Sequence, residues 1–174
     1  MLDGGLLFFQ HEAVSHKSAK IAALLAELAS PSSKGQPASH DPHYTGYFEC
    51  FNRQMYYEAH DVLEDLWLVT KGDRYFFYKG LIQLAGAFVH LKKSHLYPAA
   101  RLFHLALKNL LPSVPSRDGL DVRELVVRVQ DWLAQLEDSH FTRSPYDPAC
   151  PPRLELQKEG LLDNGRTGLI PTTP

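Results

Sequence analysis

The residues best suited to chemistry lie in one short segment, where the chain reads Tyr-Tyr-Glu-Ala-His-Asp-Val-Leu-Glu-Asp-Leu-Trp from position 56 to position 67. Successive residues of a helix are turned by about 100°, so His60 and Glu64 lie one turn apart on the same strip. An imidazole and a carboxylate at this spacing can hydrogen-bond, and burial would shift the pKa of both. The spacing therefore predicts a general acid–base pair or part of a metal site.

The same pair also has a structural interpretation. A His–Glu pair at this spacing is commonly a surface contact that adds a few tenths of a kcal/mol to helix stability. Glu58, Asp61 and Asp65 point nearly opposite to the apolar strip of this helix, and we expect them to form a solvated face. The strip that borders the core is formed by Tyr57, His60, Glu64 and Trp67.

The next helix strengthens the case for a site. Residues 80–91 are apolar on nearly all sides, which indicates a buried helix. Gln83 and His90 are its only strongly polar members and share one strip. A buried amide or imidazole needs a hydrogen-bond partner. We therefore expect His60 and Glu64 of the preceding helix to form a polar cluster with Gln83 and His90.

The elements that position these residues are predicted to be helices throughout, because no segment shows the alternating β-branched pattern of a strand. The fold class is therefore all-α, a compact antiparallel bundle of about five to six helices. Similar Tyr-x-Ala sequences begin at Tyr57 and Tyr97, so hairpins like those of tetratricopeptide repeats are an alternative arrangement. The predicted helices span residues 6–29, 43–54, 56–71, 73–93, 97–111 and 122–138.

Several residues mark the predicted helix ends. Gly72 is expected at the C′ position after one helix, and Asp73 is expected to cap the next. Pro98 lies in a first turn, where its missing N–H costs nothing. Asp121 and Glu124 have the spacing of a capping box.

We predict that the chain is divided into three parts. These are an N-terminal helical arm and linker (1–42), a helical core (43–139) and a Pro-rich tail (140–174).

Composition limits the class of protein. The 174 residues are 44% hydrophobic and 22% charged, with a net charge of −2, as expected of a globular chain without the basic excess of a nucleic-acid binder. Cys50 and Cys150 lack metal-site or redox spacing. The first residues lack the basic segment of a signal peptide, and no stretch has the length of a membrane span. We therefore predict a soluble, cytoplasmic protein that binds neither nucleic acid nor membranes.

Three separated motifs resemble domain-of-unknown-function family 309. The first is Phe51-Asn52 followed by residues 57–67, the second is residues 80–85 with His90-Leu91, and the third is residues 119–122 leading to Trp132-Leu133. The resemblance spans about residues 44–137 and implies a compact all-helical fold without a known activity. The family residues that match the predicted strips are Glu58, His60, Glu64, Trp67, Gln83 and His90.

Three functions are consistent with these patterns. The first is binding of a small ligand or a peptide in a pocket between helices, formed by Tyr57, Glu58, His60, Glu64, Trp67, Gln83 and His90. The second is a hydrolase or lyase that uses His60 and Glu64 for proton transfer, or a metal held by His60, Glu64 and His90. The third is a protein-interaction scaffold with exposed helical-hairpin surfaces, in which the polar cluster is purely structural and the first helix is a dimerisation arm of a homo-oligomer. The sequence identifies no cofactor.

Overall fold

The computed structural model describes residues 19–27 and 41–157. These residues contain six α-helices, which confirms the predicted all-α class. The rest of the predicted helix 6–29 lies outside the described residues. The helices are α1 (residues 19–27), α2 (Pro42–Asn52), α3 (Tyr56–Val69), α4 (Asp73–Lys92), α5 (Leu96–Leu110) and α6 (Val122–Asp138).

Local hydrogen bonds explain where two of these helices begin. Asp41 precedes α2, and its Oδ1 atom accepts from the backbone N–H of His43 at 2.8 Å. Asp121 precedes α6, and its Oδ1 atom accepts from the backbone N–H of Glu124 at 2.9 Å, as the capping-box spacing of the two residues predicts. Each carboxylate thereby satisfies a backbone donor that the first helical turn leaves unpaired.

The predicted roles of Gly72 and Asp73 were wrong. Helix α3 ends at Val69 with Thr70 as its C-cap, two residues before Gly72. Gly72 is the N-cap of α4, with a φ of +71°. This left-handed conformation favours glycine, and Asp73 is therefore the first residue inside α4.

A two-stranded hairpin precedes α6. Strands β1 (Ser116–Arg117) and β2 (Leu120–Asp121) pair in antiparallel fashion. The turn residues Asp118 and Gly119 have φ values of +46° and +77°. An Asp-Gly pair is typical of such a turn, whereas strands of two residues are too short to show alternation. The sequence prediction missed the strands for this reason.

Helices that follow one another in the chain also pack against one another. The three-residue connections 53–55, 70–72 and 93–95 reverse the chain direction. Helix α4 packs on both α3 and α5, and α6 packs on α5. Helix α4 is apolar on most sides because it lies between α3 and α5.

Aromatic side chains fill the core at the level of α2 and α4. The Phe51 and Phe88 rings meet edge to face with their centroids 5.4 Å apart, and Phe88 meets Trp132 of α6 at 4.9 Å. Such geometry adds to the stability gained from burial. The Tyr47 hydroxyl is buried and donates to the carbonyl of Leu81 at 2.8 Å, which ties α2 to α4.

Two glycines let α5 approach α4 closely. A Cβ atom at Gly80 would lie 2.8 Å from Leu110 Cγ and 3.3 Å from the carbonyl oxygen of Ala106. A Cβ atom at Gly86 would lie 3.2 Å from Leu102 Cδ1. Helix α5 therefore packs directly against the backbone of α4 at both glycines.

The segment after α6 packs back on the helices. Asn52 of α2 donates through Nδ2 to the carbonyl of Leu154 and accepts through Oδ1 from its N–H, both at 2.8 Å. Leu154 is buried, and Leu156 forms a bridge with Leu120 of β2.

The division of the chain into arm, core and tail stays a prediction. Among the helices of the described ranges, none has the length and apolar character needed to cross a membrane.

Candidate functional site

A pocket of about 250 Å³ lies where α3, α4 and α5 meet. Its polar lining comes from α3 and α4, and its apolar lining from α4 and α5. The lining residues are Tyr57, His60, Ile82, Gln83, Gly86, Val89, His90 and Leu102. The structure therefore brings together four of the predicted ligand-binding residues, namely Tyr57, His60, Gln83 and His90.

Gln83 is held in place from α5. The Nδ2 group of Asn109 donates to Gln83 Oε1 at 2.7 Å. This partner differs from the predicted partners, His60 and Glu64, because the close contact of α4 with α5 brings Asn109 within reach. With Oε1 engaged in this way, Gln83 offers N–H donors from Nε2 at the pocket.

His90 is a pocket residue whose pKa is shifted by its surroundings. Burial lowers its pKa below the usual 6.5, and the neighbouring His95 and Lys93 lower it further. The imidazole is therefore neutral at neutral pH, with one nitrogen as a donor and the other as an acceptor. Its Nδ1 atom is buried and has no hydrogen-bond partner within the described part of the chain.

His60 belongs both to the pocket and to a second group on α3. Its Nδ1 atom lies 3.3 Å from Asp61 Oδ1. One ligand atom from each of His60, Asp61 and Glu64 lies within 4.8 Å of the others, and all three residues are partly buried. Asp61 therefore turns towards its neighbours, although we expected it on a solvated face. His90 is not in this group, so the metal set of His60, Glu64 and His90 stays a prediction.

The other predicted site residues lie outside the pocket lining. Trp67 packs against Tyr75 with ring centroids 5.0 Å apart, near the junction of α3 and α4. Glu58 is partly buried and contributes to a raised pKa at Cys50. Burial is the main reason that this pKa rises to about 12. The Cys50 thiol thus stays protonated at neutral pH and is unsuited to nucleophilic chemistry.

Sequence reasoning missed the apolar lining of the pocket, which is formed by Ile82, Gly86, Val89 and Leu102, and two polar neighbours, Asn109 and Asp61. Leu102 and Asn109 belong to α5, and the patterns on α3 and α4 gave no information about the register of α5 against them. Asp61 was assigned to the wrong face because a helical projection ignores how far a side chain can bend towards a neighbour. The closeness of Asp61 and Glu64 in sequence, three residues apart, is the signal that could have found it.

The fold and the pocket together define a small all-helical protein with a polar and apolar cavity between three of its helices. Residues 44–102 match the model of the family described as Domain of unknown function (DUF309), so this part of the chain is similar to that family. The match extends from α2 into α5 and contains every predicted site residue. No curated protein and no solved structure matches the chain.

Proposed function

We propose that the protein binds a small organic ligand in the pocket between α3, α4 and α5. The observation that supports this function is the convergence of four polar side chains from two helices on one cavity with apolar walls. Ligand sites commonly combine an apolar lining with a few polar groups that fix orientation. The polar groups here are Tyr57, His60, Gln83 and His90.

The pocket's size and chemistry restrict the ligand. Its volume of about 250 Å³ is below the range of about 300–1,000 Å³ for drug-sized ligands. Ile82, Val89 and Leu102 suit an apolar or aromatic body. The Nε2 donors of Gln83 and the neutral imidazole of His90 suit hydrogen-bonding groups at its edge. A single side chain of a bound peptide would present the same chemistry and is the alternative occupant.

A variant that fills the pocket tests this proposal. Val89→Phe adds volume to the pocket wall, whereas Val127→Phe adds the same volume at an exposed position of α6. A set of small aromatic and heteroaromatic fragments, screened by ligand-observed NMR, should bind the wild type and Val127→Phe. Val89→Phe should weaken this binding at least tenfold, which corresponds to about 1.4 kcal/mol.

The circular-dichroism melting curves of both variants show whether the fold is kept. Fragment binding that survives in a folded Val89→Phe protein would exclude this pocket as the site. A protein that binds short peptides and none of the fragments would favour the peptide alternative.

The predicted cellular location, the enzyme alternative and the scaffold alternative stay part of this proposal. Cys50 and Cys150 are both free thiols, which supports a location in a reducing compartment such as the cytoplasm. Proton transfer by His60 and Glu64 in a hydrolase or lyase stays a prediction, as does a scaffold role with a homo-oligomer. Deleting residues 1–35 and measuring sedimentation would test the oligomer.

A further inference from the structure

One face of α3 gathers three groups of the types that bind metal ions. His60 offers an imidazole nitrogen, and Asp61 and Glu64 offer carboxylate oxygens. These three ligand atoms lie within 4.8 Å of one another. Atoms bound to one ion at about 2.0–2.2 Å are at most about 4.4 Å apart. Small side-chain rotations therefore suffice to place all three around one ion.

The spacing of the three residues makes this geometry a property of the helix. Glu64 lies four residues after His60 and three after Asp61, and both separations place side chains next to each other on a helix surface. His60 and Asp61 are already in contact at 3.3 Å. A site on one helix is also more rigid than a site built from loops.

Burial and charge both favour a cation here. The side chains of His60 and Asp61 are only 35% and 18% exposed, so an ion would be partly shielded from water. Two of the three grouped side chains, Asp61 and Glu64, are carboxylates, which are oxygen ligands that divalent cations accept. A divalent ion between these two carboxylates would reduce their mutual repulsion.

We propose that His60, Asp61 and Glu64 bind one divalent first-row metal ion, with Zn²⁺ and Mn²⁺ as the probes. The mixed nitrogen and oxygen set suits these ions and has no thiolate to select a softer metal. Three protein ligands leave at least one position for water or another group. Since His60 also lines the pocket, the ion would lie at its edge, but Asp61 and Glu64 are not pocket residues.

The test is a calorimetric titration of chelator-treated protein, made without a histidine tag, with Zn²⁺ and then with Mn²⁺. The exposed thiol of Cys150 is a competing Zn²⁺ ligand, so all proteins carry Cys150→Ser. Asp61→Asn and Glu64→Gln each remove one proposed ligand and keep the side-chain shape. Asp65→Asn is the matched control, because Asp65 is a neighbouring carboxylate of α3 outside the group.

One equivalent of Zn²⁺ should bind to the parent protein and to Asp65→Asn. Asp61→Asn and Glu64→Gln should each weaken binding at least tenfold. Equal affinity in all four proteins would show an adventitious surface site and overturn the proposal, as would a parent protein that binds neither ion.

A measurement on the unmutated site covers the case in which a variant fails to fold. Paramagnetic Mn²⁺ should broaden the NMR signals of the His60 imidazole before those of the other histidines, and broadening that begins elsewhere would overturn the proposal. The pocket is tested separately, because Val89→Phe should lose fragment binding and keep the metal. Asp61→Asn should lose the metal and keep fragment binding.

Discussion

Two polar regions of the molecule use their hydrogen-bonding groups differently. In the first, here called the seam, Asn52 binds both backbone groups of Leu154, and the Tyr44 hydroxyl donates to the carbonyl of Asp118 at 3.0 Å. In the pocket, side chains of α3 and α4 surround an opening instead. Polar side chains directed at backbone groups hold segments in place, whereas those gathered around a cavity are suited to binding. The difference predicts which substitutions affect stability and which affect function.

The largest effect on stability is expected at Asn52. Asn52→Ala removes two hydrogen bonds and leaves the partly buried N–H and C=O of Leu154 unpaired, at a cost of roughly 2–4 kcal/mol. Asn109→Ala is the matched control, because it removes one side-chain contact at the pocket and should cost about 0.5–1 kcal/mol. Urea unfolding followed by circular dichroism measures both, and equal losses would remove the distinction between the two regions.

The ion pair that anchors the hairpin should contribute less. Asp118 accepts from Arg74 through both carboxylate oxygens, at 2.9 and 3.1 Å, and the Arg74 side chain is 60% exposed. Because solvent screens this pair, Asp118→Asn should cost about 0.5–1 kcal/mol. Asparagine also tolerates the positive φ of this position. The cost should shrink in high salt, and a cost independent of salt would contradict an electrostatic origin.

A pocket residue should separate stability from binding. Gln83→Leu removes the acceptor of Asn109 at the edge of the cavity, where water can replace it. The free energy of unfolding should therefore change by less than about 1 kcal/mol, while fragment binding is lost. Gln130→Leu on the exposed side of α6 is the control, and should change neither quantity. A large loss of stability in Gln83→Leu would mean that the pocket residue holds α4 and α5 together.

The smallest effect is a pH dependence that comes from His90. Its pKa is lower in the folded protein than in the unfolded chain, so the unfolded chain binds more protons between the two values. Its contribution to stability is therefore complete above about pH 6.5 and is lost as the pH falls through the folded-state pKa.

Urea unfolding at a series of pH values, for the wild type and His90→Gln, isolates this contribution. The wild type should lose more stability towards acid than His90→Gln does. His95→Gln should reduce the loss due to His90, because His95 is one cause of the lowered pKa. Parallel pH profiles for the wild type and His90→Gln would contradict the prediction.

The sequence predicted the helices well because helical periodicity is local, whereas the predicted cap roles of Gly72 and Asp73 were wrong. The span of α6 and its Asp121 cap follow from spacing along a single element. Half of the pocket followed for the same reason, since Tyr57, His60, Gln83 and His90 lie on strips that a projection identifies. The partner of Gln83 could not be predicted, because it depends on how α5 is positioned along α4. Contacts of α5 with Gly80 and Gly86 set that register. The residue pattern of a single helix contains no information about such contacts.

These two glycines have a consequence for the thermodynamics of binding. At Gly80 the limit on how closely α5 can approach includes a backbone atom, the carbonyl oxygen of Ala106, and at Gly86 it is Leu102, which itself lines the pocket. The cavity wall at Gly86 is therefore backbone with Leu102 of α5 packed against it, and a glycine has no side chain that must become ordered when a ligand binds. A ligand entering such a cavity loses less of its binding free energy to conformational entropy of the protein.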